Sequence, residues 1–305
     1  MGPSRFWHTV KQEEMKNIGT RPIASEKGEM MSILVSLTPS ESKRLIGKAA
    51  AAHPLIKKAF REGNILVSNG TTTGYFLEEL LNSRMDIARF ACGVTAEGVL
   101  CQSPDDRIRS FMIKKGQVQP ENRNLSEYEE LDGYIDEMKS GDVYVKGANA
   151  IDPDGNAGFF LAHPTGGNIM KMLPKICAQN VRFLIPVGLE KLIPSVVEAQ
   201  RHMKGIEEYS FTFGRGCGYV TVTNGIILHE LASLELLTGV KGWAAGAGGV
   251  GGSEGAVSLV LEGDPMQEKA AVELIKTIKG EPAVPAWKKK CSDCTFRCRY
   301  RVTEK

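Results

Sequence analysis

Residues 64–81 read NILVSNGTTTGYFLEELL, an apolar run followed by a threonine-rich turn and a second apolar segment. ILVS (65–68) is an apolar run of the kind found in buried strands, and GYFLEELL (74–81) is typical of a helix. Between them lies the loop NGTTTG, which holds three consecutive threonines. A buried strand that leads through a glycine turn into a helix is the order in which α/β sheets bind anions. The stretch therefore predicts an α/β protein with an anion-binding turn.

The threonine loop is expected to bind its ligand at the start of the following helix. The first backbone N–H groups of a helix have no acceptor within it, and the helix dipole favours negative charge there. Gly70 would allow close approach of the backbone, and the threonine hydroxyls would add donors; alternatively, the threonines only cap the helix. The loop lacks the lysine of a P-loop. The predicted ligand-binding residues here are Asn69, Gly70, Thr71, Thr72 and Thr73.

Strand and helix patterns alternate along the rest of the chain, as they do in α/β proteins. Buried strands are predicted at 142–147 and 181–188, and an amphipathic helix at 126–141. This alternation predicts a mostly parallel, Rossmann-like sheet with helices on both faces. A glycine-rich, β-containing C-terminal half follows, and a basic, cysteine-bearing tail ends the chain.

Other segments complete the predicted order of elements. A T-x-x-E capping box, Thr38 to Glu41, begins the first helix. IARFACGV (87–94) is predicted to be a strand, and the charged residues 102–125 an irregular surface excursion. IILHELASLELLTG (226–239) is predicted to be one helix, closed by its final glycine.

The chain divides into three segments of different composition. The first is polar and lacks the apolar core of a signal peptide, so it is predicted to be a flexible leader, with translation beginning at Met1 or Met31. The second carries the α/β pattern, with a subdivision predicted near 205–210. The third is a proline-rich linker and a basic tail. The segments are 1–30, 31–280 and 281–305.

Composition narrows the class of protein. The chain has 305 residues, of which 42% are hydrophobic and 24% charged, which is ordinary for a globular protein with a sizeable core. No stretch reaches the roughly 18–20 apolar residues that a membrane helix needs, and a net charge of +2 argues neither for nor against a polyanionic partner. Seven scattered cysteines, an odd number, fit reduced thiols better than a disulfide framework. We therefore expect a cytoplasmic protein that does not bind membranes, and a nucleic-acid partner is not predicted.

Three segments together resemble a known superfamily. NGTTTGYFLEELL is similar to the first phosphate-site loop of the superfamily that unites type A ribose-5-phosphate isomerase, glucosamine-6-phosphate deaminase and CoA-transferases. DVYVKGANAIDPDGNAGFFLAHPTGGNI (142–169) resembles the strand, G-A-D motif and later glycine loop of the isomerases, and the G-A-D stretch of methylthioribose-1-phosphate isomerase. AGGVGGSEGAVSLVLEG (247–263) resembles the G-V-G-G loop of CoA-transferases and acyl-CoA hydrolases.

The resemblance implies a ligand, a cleft and an assembly state. The ligand would be a small anionic metabolite that bears phosphate or CoA, and the chain would form a homo-oligomer. The cleft would lie at the C-terminal ends of the strands. Its further ligand-binding residues would be Gly147, Asn149, Thr165, Gly166, Gly167, Asn168, Gly249, Gly251 and Gly252.

The ionisable groups of the isomerase motifs are replaced in this chain. Asn149 stands where the G-A-D aspartate would be, and an amide cannot move a proton. Lys146 occupies the place of an earlier aspartate, and the lysine that opens the later glycine loop is absent. A different base would therefore be needed. The nearest candidates in sequence are Asp152, His163 and Lys171.

CoA-transferases use a glutamate nucleophile, which adds two candidates. Glu254 follows the G-V-G-G loop, and Glu230 lies near the start of the helix predicted at 226–239. Glu230 could equally be a carboxylate that the helix dipole favours. GAGGVG (246–251) also satisfies the dinucleotide pattern G-x-G-x-x-G, but a strand pattern follows it where that fingerprint requires a helix. A glycine-lined wall of the cleft and a tight strand connection are the other interpretations.

The tail KKKCSDCTFRCRYR (288–301) predicts a metal site. Cys291, Cys294 and Cys298 are spaced so that their thiolates could share zinc or an iron–sulfur cluster. Both centres usually take four ligands, so a fourth must come from elsewhere in the chain or from a substrate. If the tail folds back, it could be supplied by Cys92, Cys101, Cys177 or Cys217. A reactive or disordered tail is the alternative.

These observations leave three hypotheses for the function. In the first, the chain is an enzyme that acts on a phosphorylated sugar or an acyl/CoA-type metabolite with unusual catalytic groups. In the second, it is a ligand sensor that keeps the pocket without catalysis. In the third, it is a metal or iron–sulfur protein whose α/β body places a substrate beside the tail cysteines.

Overall fold

A mixed sheet of six strands forms the centre of the fold. The computed structural model describes residues 32–122, 124–295, 298 and 300. With elements numbered in chain order, the sheet runs β12 (Ile226–Leu228), β10 (Arg182–Pro186), β7 (Val143–Val145), β2 (Asn64–Val67), β5 (Phe111–Lys114) and β6 (Gln117–Val118). The first four are parallel, whereas β5 and β6 are antiparallel to their neighbours. The α/β class is therefore confirmed, and the parallel pattern holds for four of these six strands.

Helices cover both faces of this sheet. One face carries α1 (Pro39–Ala52), α2 (Pro54–Glu62), α3 (Thr71–Leu81) and α8 (Glu230–Thr238), and the other carries α5 (Glu127–Glu137) and α6 (Gly167–Gln179). The strands alternate accordingly, because successive side chains of a strand point to opposite faces. Ile65 and Val67 pack on the α1 side, whereas Leu66 packs on the α5 side. Both faces are buried, which explains the continuous apolar runs in the strands.

A second, antiparallel sheet packs against the outer side of α1 and α8. Its strands are β1 (Ser32–Leu37), β14 (Val257–Glu262) and β13 (Lys241–Ala247), and α9 (Pro265–Ile278) packs with them. Leu45 of α1, Leu234 of α8 and Ile275 of α9 share this core. The strand pattern predicted after the glycine loop is confirmed as β14, which pairs with β13.

Shorter elements surround the main sheet. A three-stranded sheet contains β8 (Ala150–Ile151), β9 (Ala157–Leu161) and β11 (Gly218–Val222), and β3 (Val94–Ala96) and β4 (Val99–Cys101) form a hairpin. The remaining helices are α4 (Ile87–Phe90), α7 (Val196–His202) and a 3-10 helix at Leu189–Lys191.

The first helix, α1, begins where the sequence predicts. The Thr38 hydroxyl accepts from Glu41 N at 3.3 Å, and Thr38 N donates to the Glu41 carboxylate at 2.9 Å, so the predicted capping box is confirmed. Glu41 also accepts from Gly280 N at 2.9 Å, and Arg44 binds Glu281 through Nε at 2.9 Å. These contacts fix the segment after α9 to the first helix.

Three sequence predictions about secondary structure are wrong. Residues 226–239 are not one helix, because Ile226–Leu228 pairs with β10 as a strand before α8 begins. The strand predicted at 87–94 is α4 followed by β3, and the irregular stretch 102–125 contains β5 and β6. The secondary structure of these segments depends on pairing with strands that are distant in sequence, and local propensity does not include such pairing.

The termini and the membrane prediction complete the description. The predicted leader, residues 1–30, lies outside the described residues. Within the part of the chain that is described, no helix is long and apolar enough to cross a membrane.

Candidate functional site

The four parallel strands end beside one another at one edge of the central sheet. β2 is followed by Ser68–Thr73, β7 by Lys146–Asn149, β10 by Val187–Lys191 and β12 by His229 and Glu230. Val67 pairs with Val145, and Pro186 with Leu228, so β2 ends level with β7 and β10 ends level with β12. Because Leu184 pairs with Val145, β10 extends two residues beyond β7. Ligands of open α/β sheets bind at this edge. We refer to the residues that follow these four strands as the strand-end site.

The threonine loop forms the first part of the strand-end site. The helix α3 begins at Thr71, so the threonines are its first turn rather than a loop before it, and no side chain caps this terminus. The Thr73 hydroxyl donates to Ser68 O at 2.8 Å and to Gly70 O at 3.0 Å. Thr73 therefore satisfies local backbone groups. The N–H groups of the first turn are the donors that this helix leaves for a ligand.

The side chain of Asn69 holds the loop in place. Its Nδ2 donates to Phe90 O at 3.0 Å and to Ile108 O at 2.6 Å, and its Oδ1 accepts from the Ser110 hydroxyl at 2.9 Å. Next to it, the hydroxyls of Ser68 and Tyr144 lie 2.8 Å apart. These contacts connect β2 to three other segments and use the polar atoms of Asn69 for structure.

Two lysines that sequence reasoning did not select extend from the next two strand ends. Lys146 follows β7, Lys191 ends the 3-10 helix after β10, and both residues are half-buried. Burial lowers the pKa of Lys146, and burial lowers that of Lys191 from 10.5 to about 8. The positive charges of Lys43 and Lys146 lower the pKa of Lys191 further, while Glu190 and Glu230 act to raise it. Lys191 Nζ donates to Ala148 O at 2.8 Å.

Glu230 lies at the fourth strand end with its carboxyl group fully enclosed. The residue is 0% exposed, and its Oε2 accepts from Leu189 N at 2.8 Å. Its Oε1 has no hydrogen-bond partner among the described residues. Burial raises the pKa of Glu230. A Cβ at Gly188 would lie only 3.1 Å from Oε1, so the glycine after β10 leaves the room that this carboxyl group occupies.

The glycine loop between β13 and β14 reaches the strand-end site near its end, at Gly255. Lys43 of α1 forms an ion pair with Glu190 at 3.2 Å, and a Cβ at Gly255 would lie 3.5 Å from Glu190 Oε2. Gly249, Gly251 and Gly252 are exposed earlier in the loop. Glu254 is exposed too, and its Oε2 accepts from Gly252 N at 2.9 Å.

The residues of the 147–156 loop are mostly engaged in holding that loop. Asn149 Oδ1 accepts from Phe160 N at 2.9 Å. Asp152 is 4% exposed and accepts from Val196 N at 2.8 Å and from Asn156 N at 2.9 Å. Burial acts to raise the pKa of Asp152, but these hydrogen bonds hold it below its usual value. Such contacts suit a structural carboxylate, and the catalytic hypothesis for Asp152 gains no support from them.

The second predicted glycine loop contacts the helix α5. His163 Nδ1 lies 2.9 Å from the Thr165 hydroxyl, and its ring lies 5.1 Å from that of Tyr128. Gly166 and Gly167 then turn the chain with φ of 76° and 62° into α6, whose first turn holds Asn168. Lys171 of α6 forms an ion pair with Asp132 of α5. The catalytic hypotheses for His163 and Lys171 stay predictions.

Basic groups surround the exposed thiol of Cys92, near the strand-end site. Cys92 lies within electrostatic range of Lys146, Arg107 and Arg215. Arg215 Nη1 also donates to Gln102 Oε1 at 2.8 Å, which extends this basic region towards β4. Lys146 is therefore common to this basic region and to the strand-end site.

The strand-end site therefore differs in part from the site predicted from sequence. The structure brings the threonine loop, Gly147 and Glu230 to one edge, and the end of the β13–β14 loop reaches it. Lys146 and Lys191 were missed. Lys146 directly follows a buried strand, and that position was the available signal, whereas Lys191 lies farther on, at the end of the 3-10 helix after β10. No family model, no curated protein and no solved structure matches this chain. The resemblance to the isomerase and CoA-transferase superfamily thus stays a prediction.

Proposed function

We propose that the chain is an enzyme that moves a proton on a small anionic metabolite bound at the strand-end site. The observation that carries this proposal is the position of Lys191 on the 3-10 helix whose Leu189 N donates to the buried carboxyl group of Glu230 at 2.8 Å. The pKa of Lys191 is lowered there to about 8, chiefly by burial. A group whose pKa lies near the working pH is suited to general acid–base catalysis. The substrate class is a phosphorylated sugar or an acyl/CoA-type metabolite.

Anion binding is supported by the repulsion among the lysines. Lys43 and Lys146 both act to lower the pKa of Lys191, which means that the three positive charges are close enough to disfavour one another. A phosphate or carboxylate placed between Lys146 and Lys191 would relieve that repulsion. The uncapped first turn of α3 supplies backbone donors on the neighbouring strand end.

The proposed chemistry is a reversible proton transfer. The neutral amine of Lys191 takes a proton from a substrate carbon next to a carbonyl group, and the electron pair of the C–H bond moves into an enolate. The resulting ammonium group returns the proton to the same carbon. Where that carbon bears a hydroxyl group, the hydroxyl proton can move to the enolate oxygen, and the ammonium group then protonates the former carbonyl carbon while the first carbon becomes the carbonyl. Glu230, whose raised pKa favours the protonated form, stabilises the negative charge that develops on the enolate. The reaction consumes no other reagent.

Proton exchange with deuterated solvent tests this proposal. The full-length chain is incubated in D2O with ribose 5-phosphate, glucosamine 6-phosphate or acetyl-CoA, and loss of the substrate C–H signal is followed by proton NMR. We expect exchange with one of these compounds and at least a hundredfold slower exchange in Lys191→Met, because removing a general base costs about 10²–10⁴-fold. Lys175→Met is the matched control, since Lys175 also donates to a backbone carbonyl, Asp136 O at 3.0 Å, but lies on α6.

The outcomes separate the hypotheses. Equal exchange in Lys191→Met and in the wild type contradicts the role of Lys191. Binding of a compound without any exchange or turnover supports the ligand-sensor hypothesis instead.

A second candidate function is acyl or CoA transfer with Glu230 as the nucleophile. The Oε1 atom without a partner favours it, because a nucleophilic oxygen must be available. Its attack on a thioester would form an acyl-glutamyl anhydride and release the CoA thiolate. Mass spectrometry after incubation with acetyl-CoA tests this: a modified Glu230 peptide, absent from Glu230→Gln, supports transfer, and an unmodified peptide contradicts it.

A further inference from the structure

Four cysteines from two distant parts of the chain line one cavity. Cys101 ends β4, and Cys291, Cys294 and Cys298 come from the tail. The cavity has a volume of about 40 Å³, which exceeds what one water molecule needs. Of the four cysteines that the sequence offered as a fourth partner for the tail, the structure therefore selects Cys101.

Specific contacts hold the tail against the β3–β4 hairpin. Lys289 N donates to Gln102 O at 2.9 Å, and its Nζ forms an ion pair with Asp105 at 2.6 Å. Lys288 forms an ion pair with Glu97 at 3.0 Å. These residues directly precede Cys291, so they place the first tail cysteine beside Cys101. These packing contacts therefore bring the four cysteines to one cavity.

The opposite wall of the cavity is also fitted closely. Gly214 has a φ of +99°, and a Cβ there would lie 2.3 Å from Leu100 O, so only glycine allows this approach. The next residue, Arg215, donates its backbone N–H to Leu100 O at 2.8 Å. On the far side, the ring of Phe213 lies 5.0 Å from that of Tyr300, beside Cys298. The segment 213–215 therefore closes the cavity against both β4 and the end of the tail.

The charges around the cavity suit an anionic metal cluster. Arg215 and Lys289 line it, and Lys288 acts on both Cys101 and Cys291. The four thiols line one small cavity, so four thiolates there would repel one another in the absence of a cation. Iron would remove that repulsion, and the basic side chains would balance the net negative charge that four thiolates leave on a cluster.

We propose that Cys101, Cys291, Cys294 and Cys298 bind a [4Fe–4S] cluster. Four cysteine thiolates are the usual ligands of such a cluster, and each binds a different iron. No three metal-binding side chains in the described part of the chain stand where one ion could be held, and a cluster does not require that. Because Arg215 connects this cavity to the basic groups around Cys92, the cluster would lie next to the strand-end site. This proposal is independent of the proposed acid–base function.

Anaerobic reconstitution tests the cluster. The full-length chain is incubated with ferrous iron and sulfide, desalted, and examined by visible absorption and by iron and sulfide analysis. We expect broad sulfur-to-iron charge-transfer absorption and about four iron and about four sulfide per chain, as the cluster requires. Cys101→Ser and Cys294→Ser should lose most of this absorption, whereas Cys177→Ser, an exposed cysteine on α6, should keep it.

Several results would overturn the proposal. No iron uptake by the wild type, or tight binding of zinc in place of iron, would contradict the cluster. Full cluster content in Cys101→Ser would contradict the role of Cys101. Circular dichroism of each variant distinguishes loss of a ligand from loss of the fold, and Cys294→Ser, in the tail, tests the site without altering β4.

Discussion

Replacing Lys191 by methionine should stabilise the protein near neutral pH while it removes the proposed base. Burial lowers the pKa of Lys191 from 10.5 to about 8 in the folded protein. That difference corresponds to roughly 3 kcal/mol by which folding disfavours the charged side chain. Methionine keeps an unbranched chain of similar volume and carries no charge, so the variant avoids this cost.

The loss of one hydrogen bond offsets part of the stabilisation expected for Lys191→Met. Lys191 Nζ donates to Ala148 O at 2.8 Å, and methionine leaves that carbonyl without this donor. Removing such a bond costs about 1 kcal/mol. The net expectation is that Lys191→Met raises the free energy of unfolding by roughly 2 kcal/mol near pH 7. A catalytic group that destabilises the fold is a known compromise between stability and activity.

The effect should depend on pH in a defined direction. Because the folded pKa of about 8 lies below the unfolded value of 10.5, the unfolded chain binds more protons between these two values. The wild type therefore gains stability as the pH rises through this window. The advantage of Lys191→Met is complete below the folded pKa and disappears towards the unfolded one.

Urea unfolding at about pH 7 and about pH 10 measures both effects. Lys175→Met is the control, since Lys175 donates to Asp136 O at 3.0 Å from the exposed side of α6, and it should lose less than about 1 kcal/mol at both pH values. A Lys191→Met variant that is less stable than the wild type near pH 7 would contradict the predicted cost of burying the lysine. The predicted pH dependence is refuted if the difference between the two proteins is the same at both pH values.

Three further predictions concern buried charges. Burial raises the pKa of Glu230, so Glu230→Gln should be about 1–2 kcal/mol more stable than the wild type at neutral pH. This gain in stability should vanish as the pH falls below 4.5, where the wild-type carboxyl group is protonated in both the folded and the unfolded state. Urea unfolding at several pH values measures it. The side chain of Arg44 is 4% exposed and binds Glu78 at 2.7 Å, so Arg44→Met should lower the free energy of unfolding by about 3–5 kcal/mol. Arg61 is exposed, and Arg61→Met should lower it by less than about 1 kcal/mol in the same assay. Hydrogen bonds keep the pKa of Asp152 low, so Asp152→Asn should lose about 1–3 kcal/mol at neutral pH and progressively less in acid below 3.8, as thermal unfolding will record.

The local signals in the sequence located the first part of the site. The apolar run of β2, the glycine at 70 and the following helix were predicted together, because a buried strand and an amphipathic helix each have a period that the sequence shows directly. Asn69 and Thr73 were predicted to bind ligand, yet their polar atoms hold the loop. A side chain's residue type indicates what it can bind, but only packing shows which partner it reaches.

Partners distant in sequence account for most of what was missed. β1 pairs with β14 across more than half of the chain, and β12 takes its strand form from pairing with β10. Placing Ile226–Leu228 in the sheet is what brings Glu230 to the same edge as Lys191. In the same way, four cysteines were equal candidates to join the tail until the packing of residues 287–290 placed it against Cys101.

The most direct test of the strand-end site is thermal unfolding in the presence of anionic compounds. Inorganic phosphate, ribose 5-phosphate and acetyl-CoA are compared with uncharged ribose, in the wild type, in Lys146→Met and in the control Lys175→Met. An anion at a hundred times its Kd should stabilise the wild type and the control by about 2.7 kcal/mol. We expect at least one anion to stabilise the wild type in this way and ribose to leave its thermal unfolding unchanged. In Lys146→Met, the stabilisation by the anion should be lost. Equal shifts in Lys146→Met and the wild type, or no shift with any anion, would contradict anion binding at the strand-end site.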